Sequence, residues 1–205
     1  MRWARRTVMR TRALLAAGLA LAVGSGGCAA KQGEPADPQP AGTAPAAEFS
    51  ADVTVGDGAV KVAYTLVNRS GGTLVVLSRV DPAYVVGQTS GRVQIGQRAF
   101  TMPEGGKTWS HPNFADGVRV KDGDRIERTL TVPLPLKRNH PYGDDYGDGT
   151  IALPDPVREV VFCLGAVRET EVKATLAAGD EVRLPHLSST TAVQHLYCSD
   201  PVKLS

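Results

Sequence analysis

Aromatic residues make up only 5% of this 205-residue chain, histidine occurs four times and cysteine three. With so few rings, and no Lys/Arg cluster interleaved with them beyond residue 28, there is no stacking-and-charge footprint for nucleic acid. His111, His140, His186 and His195 lie far apart, with no His-x-His or His-x-x-x-His pair, so no tetrahedral metal site is announced locally. No phosphate loop or dinucleotide fingerprint is present: GDGAV and GRVQIG hold glycines but no helix whose N-terminus would receive an anion. GQTSG at 87–91 lacks the Gly-x-Ser-x-Gly spacing of a strained nucleophile, which leaves Ser90 as a loop residue. A long apolar run is missing too. Ala13 to Val23 is uncharged, but as a helix it would reach only about 17 Å, well short of the roughly 30 Å hydrocarbon core of a bilayer.

What is present begins with charge. Arg2, Arg5, Arg6, Arg10 and Arg12 precede that apolar stretch with no acidic residue among them, the order of an export signal. All twenty-one acidic residues lie beyond Cys28, and five of the twenty-three basic ones lie before it, so the remainder carries a net charge of −3. The basic character therefore belongs to the first segment, and no polybasic membrane patch is left behind it.

The apolar stretch ends in Ser25, Gly26, Gly27 and Cys28. This resembles the lipobox of bacterial lipoproteins, with Ser25 standing where that family usually carries Leu. The resemblance implies cleavage before Cys28, acylation of its thiol and a membrane anchor of two or three chains, each buried methylene contributing about 0.8 kcal/mol. It also implies a location in the cell envelope facing the periplasm or exterior; in a Gram-negative cell, Ala29 after the cysteine would by the family rule favour the outer membrane over the inner. An ordinary secretory peptide cut nearby, leaving Cys28 a free thiol, is the alternative. Arg5, Arg6, Thr7, Val8 and Met9 also resemble a twin-arginine signal, which would imply export after folding.

In an exported, oxidising setting Cys163 and Cys198 remain as a pair, and a bond between them is expected to stabilise the fold by about 4 kcal/mol in the chain-entropy model. Apolar neighbours of Cys163 in EVVFCLGAV give it nothing to lower its pKa, against a reactive thiol.

Three regions are expected: a signal peptide over 1–27, an acylated cysteine with an Ala/Pro-rich linker over 28–47, and one domain over 48–205. The linker AAKQGEPADPQPAGTAPAA has four prolines and almost no apolar bulk, so its composition predicts disorder. Fully extended it would reach about 60 Å.

In the domain, strand signals dominate. Val60, Val62, Tyr64 and Leu66 alternate with Lys61, Ala63, Thr65 and Val67, and NRSGG then predicts a hairpin into Thr73 to Arg79. KDGD is a turn between Val118–Val120 and Arg125–Val132 with Gly123 at positive φ, and Ile126, Leu130 and Val132 share a face. Val157 to Val167 is apolar on both faces, which predicts a central strand. AAGD is a turn between Glu171–Leu176 and Val182–Leu184, and Val193 to Cys198 reads as a last strand. The fold class expected is all-β, a single antiparallel β-sandwich, immunoglobulin-like in the loose sense. VKVAYTLVNRSGGTLVVLSRV resembles strands of bacterial immunoglobulin-like modules and, less closely, small β-sandwich proteinase inhibitors of the intracellular inhibitor type; that speaks to architecture more than to function.

Two long loops draw attention as binding surfaces, with Trp109 and Phe114 in one and Tyr142 and Tyr146 in the other; the competing reading makes them loop core. HPYGDDYGDGT holds Asp144, Asp145 and Asp148, the oxygen-rich kind of loop Ca²⁺ uses. On an EF-hand template started at Asp144, Tyr146 falls at a ligand position and Asp155 where a bidentate Glu belongs, so a solvated turn is the favoured reading. Asp122 and Asp124 sit in a turn facing water. No catalytic residue, metal or cofactor is expected. The function expected is a lipid-anchored envelope module that binds or supports a partner, an envelope protein or glycan, without catalysis. An inhibitor-like protein presenting a loop to an envelope protease is the alternative, and a metal-dependent hydrolase a more distant one.

Overall fold

The computed structural model describes residues 37–102, 113–143, 151–173 and 176–204. Its elements in chain order are β1 (Ala47–Gly56), β2 (Ala59–Asn68), β3 (Leu74–Val76), β4 (Tyr84–Gly87), β5 (Arg92–Gln97), β6 (Phe114–Val120), β7 (Arg125–Pro133), β8 (Glu159–Arg168), β9 (Leu176–Ala178), β10 (Glu181–Pro185), a one-turn helix α1 (Ser188–Thr191), β11 (His195–Cys198) and β12 (Val202–Lys203). They form two sheets, one of three strands in the order β1-β2-β7 and one of nine. The fold is an all-β sandwich.

The two sheets share a core because their facing strands alternate. On β2 the side chains of Val60, Val62, Tyr64 and Leu66 are at most 3% exposed. Across from them Val160, Phe162 and Leu164 of β8 and Val93 and Ile95 of β5 are fully buried in the same cluster. The Tyr64 and Phe162 rings stack between the sheets with centroids 4.9 Å apart. Each such large side chain withdrawn from water contributes about 1.5 to 3 kcal/mol. On β7, Ile126, Leu130 and Val132 pack into this core, as their spacing predicts.

The nine-stranded sheet is buried on its other face as well, where Val75, Leu77, Ala115, Val167, Val182 and Leu184 make a second cluster. Strand β8 is the hub. One of its edges carries β5 in parallel along its first half and β3 antiparallel along its second, while β11 and β12 occupy the opposite edge. A strand walled in on both faces and both edges must be apolar throughout, and residues 160–167 are buried without a break. Cys163 and Cys198 are cross-strand partners here and form a disulfide.

The hairpin expected at NRSGG is not formed. β2 pairs with β1 and β7 in one sheet, and β3 pairs with β6 and β8 in the other, so the turn carries the chain across the sandwich. KDGD does the same between β6 and β7, with Gly123 at a φ of 83°. Asn68 joins the two crossings. Its side-chain amide donates to the carbonyls of Gly72 at 2.7 Å and Val120 at 2.8 Å, and its backbone N–H bonds to Asp124 O at 3.0 Å. AAGD does make a hairpin, of β9 with β10, Ala178 opposite Glu181. The strand expected to start at Glu171 begins later, because Glu169–Glu171 forms a 3₁₀ turn.

Residues 37–46, expected within a disordered linker, are laid against the domain. Asp37 pairs with Arg98, Ala41 N–H bonds to Ala192 O at 3.3 Å, and Pro45 O accepts the Tyr197 hydroxyl at 2.5 Å. Polar contacts to Arg98, Ala192 and Tyr197 fix this segment, and Pro45 is buried against the domain.

Candidate functional site

A cleft of about 650 Å³ opens where β5 runs out into Arg98–Thr101. Its walls include Asp37 to Pro40, Gln94, Arg98, His140, Thr191 and Gln194. The floor is polar because β5 and the residue after it carry polar side chains into a closed environment: Gln94 and Arg98 are 3% and 7% exposed.

Arg98 is held from several sides. Its Nη1 donates to Gln94 Oε1 at 3.0 Å, its Nε to Ala99 O at 3.2 Å, and its guanidinium lies 4.5 Å from the Phe100 ring centroid. Nη2 makes a charge-assisted hydrogen bond to Asp37 Oδ2, and the other carboxylate oxygen accepts the Thr101 backbone N–H at 2.9 Å. Burial lowers the Arg98 pKa from its ordinary value, and the Asp37 carboxylate pulls it back. A guanidinium remains charged under either influence.

Beside it Gln194 behaves as a short artificial strand. Its Oε1 accepts Ala99 N–H at 2.7 Å and its Nε2 donates to Ala99 O at 3.1 Å, so both backbone groups past the end of β5 are satisfied. The side chain fits only because β8 has Gly165 there; a Cβ at that position would lie 2.5 Å from Gln194 Oε1.

Behind the cleft is a cluster of rings. Phe100 packs edge-on to Tyr84 and His140, with centroids 5.2 and 4.6 Å away, and His186 lies 5.4 Å from Tyr84. His186 Nδ1 accepts the Phe100 N–H at 3.0 Å, which places the proton of the neutral ring on Nε2, 2.9 Å from the Tyr84 hydroxyl. Burial pushes the His186 pKa down to about 4, a hydrogen bond to the Phe114 backbone opposes the shift, and the Arg98 charge adds to it. Burial likewise brings His140 down to about 3, helped by the charges of Arg138, His186 and Arg98. The Tyr84 hydroxyl is pushed up to about 12, chiefly by burial. All three groups are neutral near pH 7.

Of the residues singled out from sequence, Tyr142 is 1% exposed and donates its hydroxyl to His186 O. It packs as loop core, since a side chain already enclosed and bonded has no surface to offer a partner. Phe114 opens β6, half-buried beneath the Arg183 guanidinium at 5.2 Å. Ser90 is exposed at a φ of 65°, and Asp122 is exposed with Oδ1 accepting Gly71 N–H at 2.8 Å. Cys28, Trp109, Asp144, Asp145, Tyr146 and Asp148 lie outside the described residues. Among the described residues no three His, Cys, Asp or Glu side chains come together as metal ligands, and no helix is long and apolar enough to cross a membrane.

The structure brings together groups the sequence reading left scattered. His140 and His186 meet around Phe100 although they are 46 positions apart, and Asp37 reaches Arg98 from the linker. The available signal was the run RVQIGQRAF, in which Gln94, Gln97 and Arg98 interrupt an otherwise apolar strand. No family model, curated protein or solved structure matches the chain.

Proposed function

We propose that this chain is a lipid-anchored module of the cell envelope, held to the membrane through acylated Cys28, whose disulfide-stapled sandwich binds or supports a partner without catalysis. The Arg-rich then apolar run that ends in Ser25, Gly26, Gly27 and Cys28 carries the reading. The Cys163–Cys198 bond supports it, because such staples persist in oxidising compartments. The chemistry of the cleft also favours binding over turnover. Imidazoles with pKa values of about 3 and 4 are weak bases, and proton transfer at neutral pH is served best by groups titrating near 7. The cleft also presents amides and hydroxyls from Gln39, Gln88, Thr89, Gln94, Thr191 and Gln194 among prolines and aliphatic side chains, groups that orient a ligand rather than transform it.

The experiment is fractionation and intact-mass measurement of the full chain produced in a bacterium that acylates lipoproteins. The native protein is expected in the membrane fraction with the mass of a chain beginning at an acylated Cys28, and Cys28→Ser in the soluble envelope fraction. Equal membrane retention of the two overturns the anchor.

A further inference from the structure

The buried Arg98 has a support that does not depend on its counter-ion. Gln94, the Ala99 carbonyl and the Phe100 ring all come from β5 or the residues directly after it, and they aim the guanidinium into the cleft beside the Thr101 N–H. Two donors, one charged and one backbone, thus converge on a single carboxylate. That carboxylate belongs to Asp37, in the segment Asp-Pro-Gln-Pro that forms one wall of the cleft. The segment is weakly fixed elsewhere. Pro38 and Pro40 have no N–H to donate, and among the described residues its next backbone bond is Ala41 N–H to Ala192 O at 3.3 Å. Pro38 and Gln39 are exposed, whereas Arg98 is 7% exposed.

We propose that Arg98 and the Thr101 amide form a recognition site for the carboxylate of an extended peptide, and that Asp37 fills it as a displaceable stand-in. The occupant seen is itself a peptide: a carboxylate seated on the guanidinium and a proline-flanked chain lying along the cleft. Withdrawing Asp37 leaves a buried guanidinium without its counter-ion, a costly state that another carboxylate relieves. Gln88, Thr89 and His195 line the same cleft and supply further polar groups to it. Because the internal carboxylate is tethered, it competes at a high effective concentration and masks the site in the native chain. The site goes beyond the envelope reading and does not depend on acylation of Cys28.

The test is a fluorescence-anisotropy titration of a labelled peptide, Asp-Pro-Gln-Pro-Ala-Gly, into the full chain and its Asp37→Ala variant. An analogue with Asn in place of the Asp serves as control. The variant is expected to bind the Asp peptide at least about tenfold more tightly than the native chain does. It should ignore the Asn analogue, release the Asp peptide to acetate, and lose the effect when Arg98→Gln is added. If circular dichroism shows Asp37→Ala unfolded, Asp37→Asn, which keeps the shape and removes the charge, takes its place with the same expectations. Equal affinity of native and variant chains, or equal binding of the Asp and Asn peptides, overturns the proposal.

Discussion

Asn68, fully buried at the end of β2, donates its side-chain amide to the carbonyl of Val120 at the end of β6, 2.8 Å away and 52 positions along the chain. The same amide reaches Gly72 O at 2.7 Å, and Oδ1 accepts Ser70 N–H at 2.9 Å. One side chain therefore satisfies both places where the chain leaves one sheet for the other. Asn68→Ala takes a donor from the Val120 carbonyl and the acceptor from the Ser70 N–H, while the exposed Gly72 carbonyl keeps the Ser70 hydroxyl at 3.2 Å, and is expected to cost roughly 1 to 3 kcal/mol in urea denaturation. Asn68→Asp should be worse, since an oxygen would face the two carbonyl oxygens. A loss below 1 kcal/mol for either variant would remove Asn68 as the tie.

The buried imidazoles make stability depend on acid. His140 and His186 hold pKa values of about 3 and 4 in the fold, against about 6.5 in the unfolded chain. Between those limits the unfolded state binds more protons, so stability is at its full value above pH 6.5 and falls as pH drops below it. From pH 7 to pH 5 each imidazole is expected to remove up to about 2 kcal/mol. Denaturation midpoints measured across that range should fall, and His140→Leu should flatten the slope by about half. A slope unchanged by that variant would assign the pH dependence to other groups.

The disulfide closes a separation of 35 residues between β8 and β11. Replacing both cysteines by alanine is expected to cost about 4 kcal/mol, the loop-closure entropy returned to the unfolded chain. Calorimetry of the double variant against the oxidised protein reads this directly. Non-reducing alkylation of the native chain should leave Cys163 and Cys198 unmodified.

Gly165 and Gln194 stand or fall together. Gly165→Ala puts a methyl group within 2.5 Å of Gln194 Oε1 and forces that side chain off the Ala99 backbone. Stability is expected to fall by about 1 to 3 kcal/mol, with faster hydrogen exchange at the Ala99 amide. Gln194→Leu should give the same exchange signature. Wild-type exchange at Ala99 in both variants would show that the segment after β5 is held by something else.

The sequence made individual strands legible where burial imposes a period. β2 alternates because one face meets the core, and β8 is continuously apolar because both faces do. β1 carries the same period-two pattern, Phe49, Ala51, Val53 and Val55, and went unassigned beside its Pro-rich neighbour. Partners were less legible than strands. NRSGG and KDGD have ordinary turn chemistry, which says that the chain bends there but not whether the next strand stays in the same sheet. Asn68 and Val120, whose hydrogen bond ties the two crossings together, meet only in the fold. The cleft was hidden for a similar reason. Arg98 reads as a surface charge until the segment carrying Asp37 is seen across it, and Tyr142 reads as a loop aromatic until His186 is found beneath its hydroxyl.

The parallel union of β5 with β8, Arg92 opposite Glu159, sets a pace for the molecule. Those two residues are 67 positions apart, and the loop between them must be closed before the contact returns anything. A topology of this kind is reached by slow conformational search, on the order of milliseconds to seconds. Until β8 has gathered its neighbours its bare margins are sticky to other copies. Low concentration during refolding is thus the condition under which a soluble yield is expected.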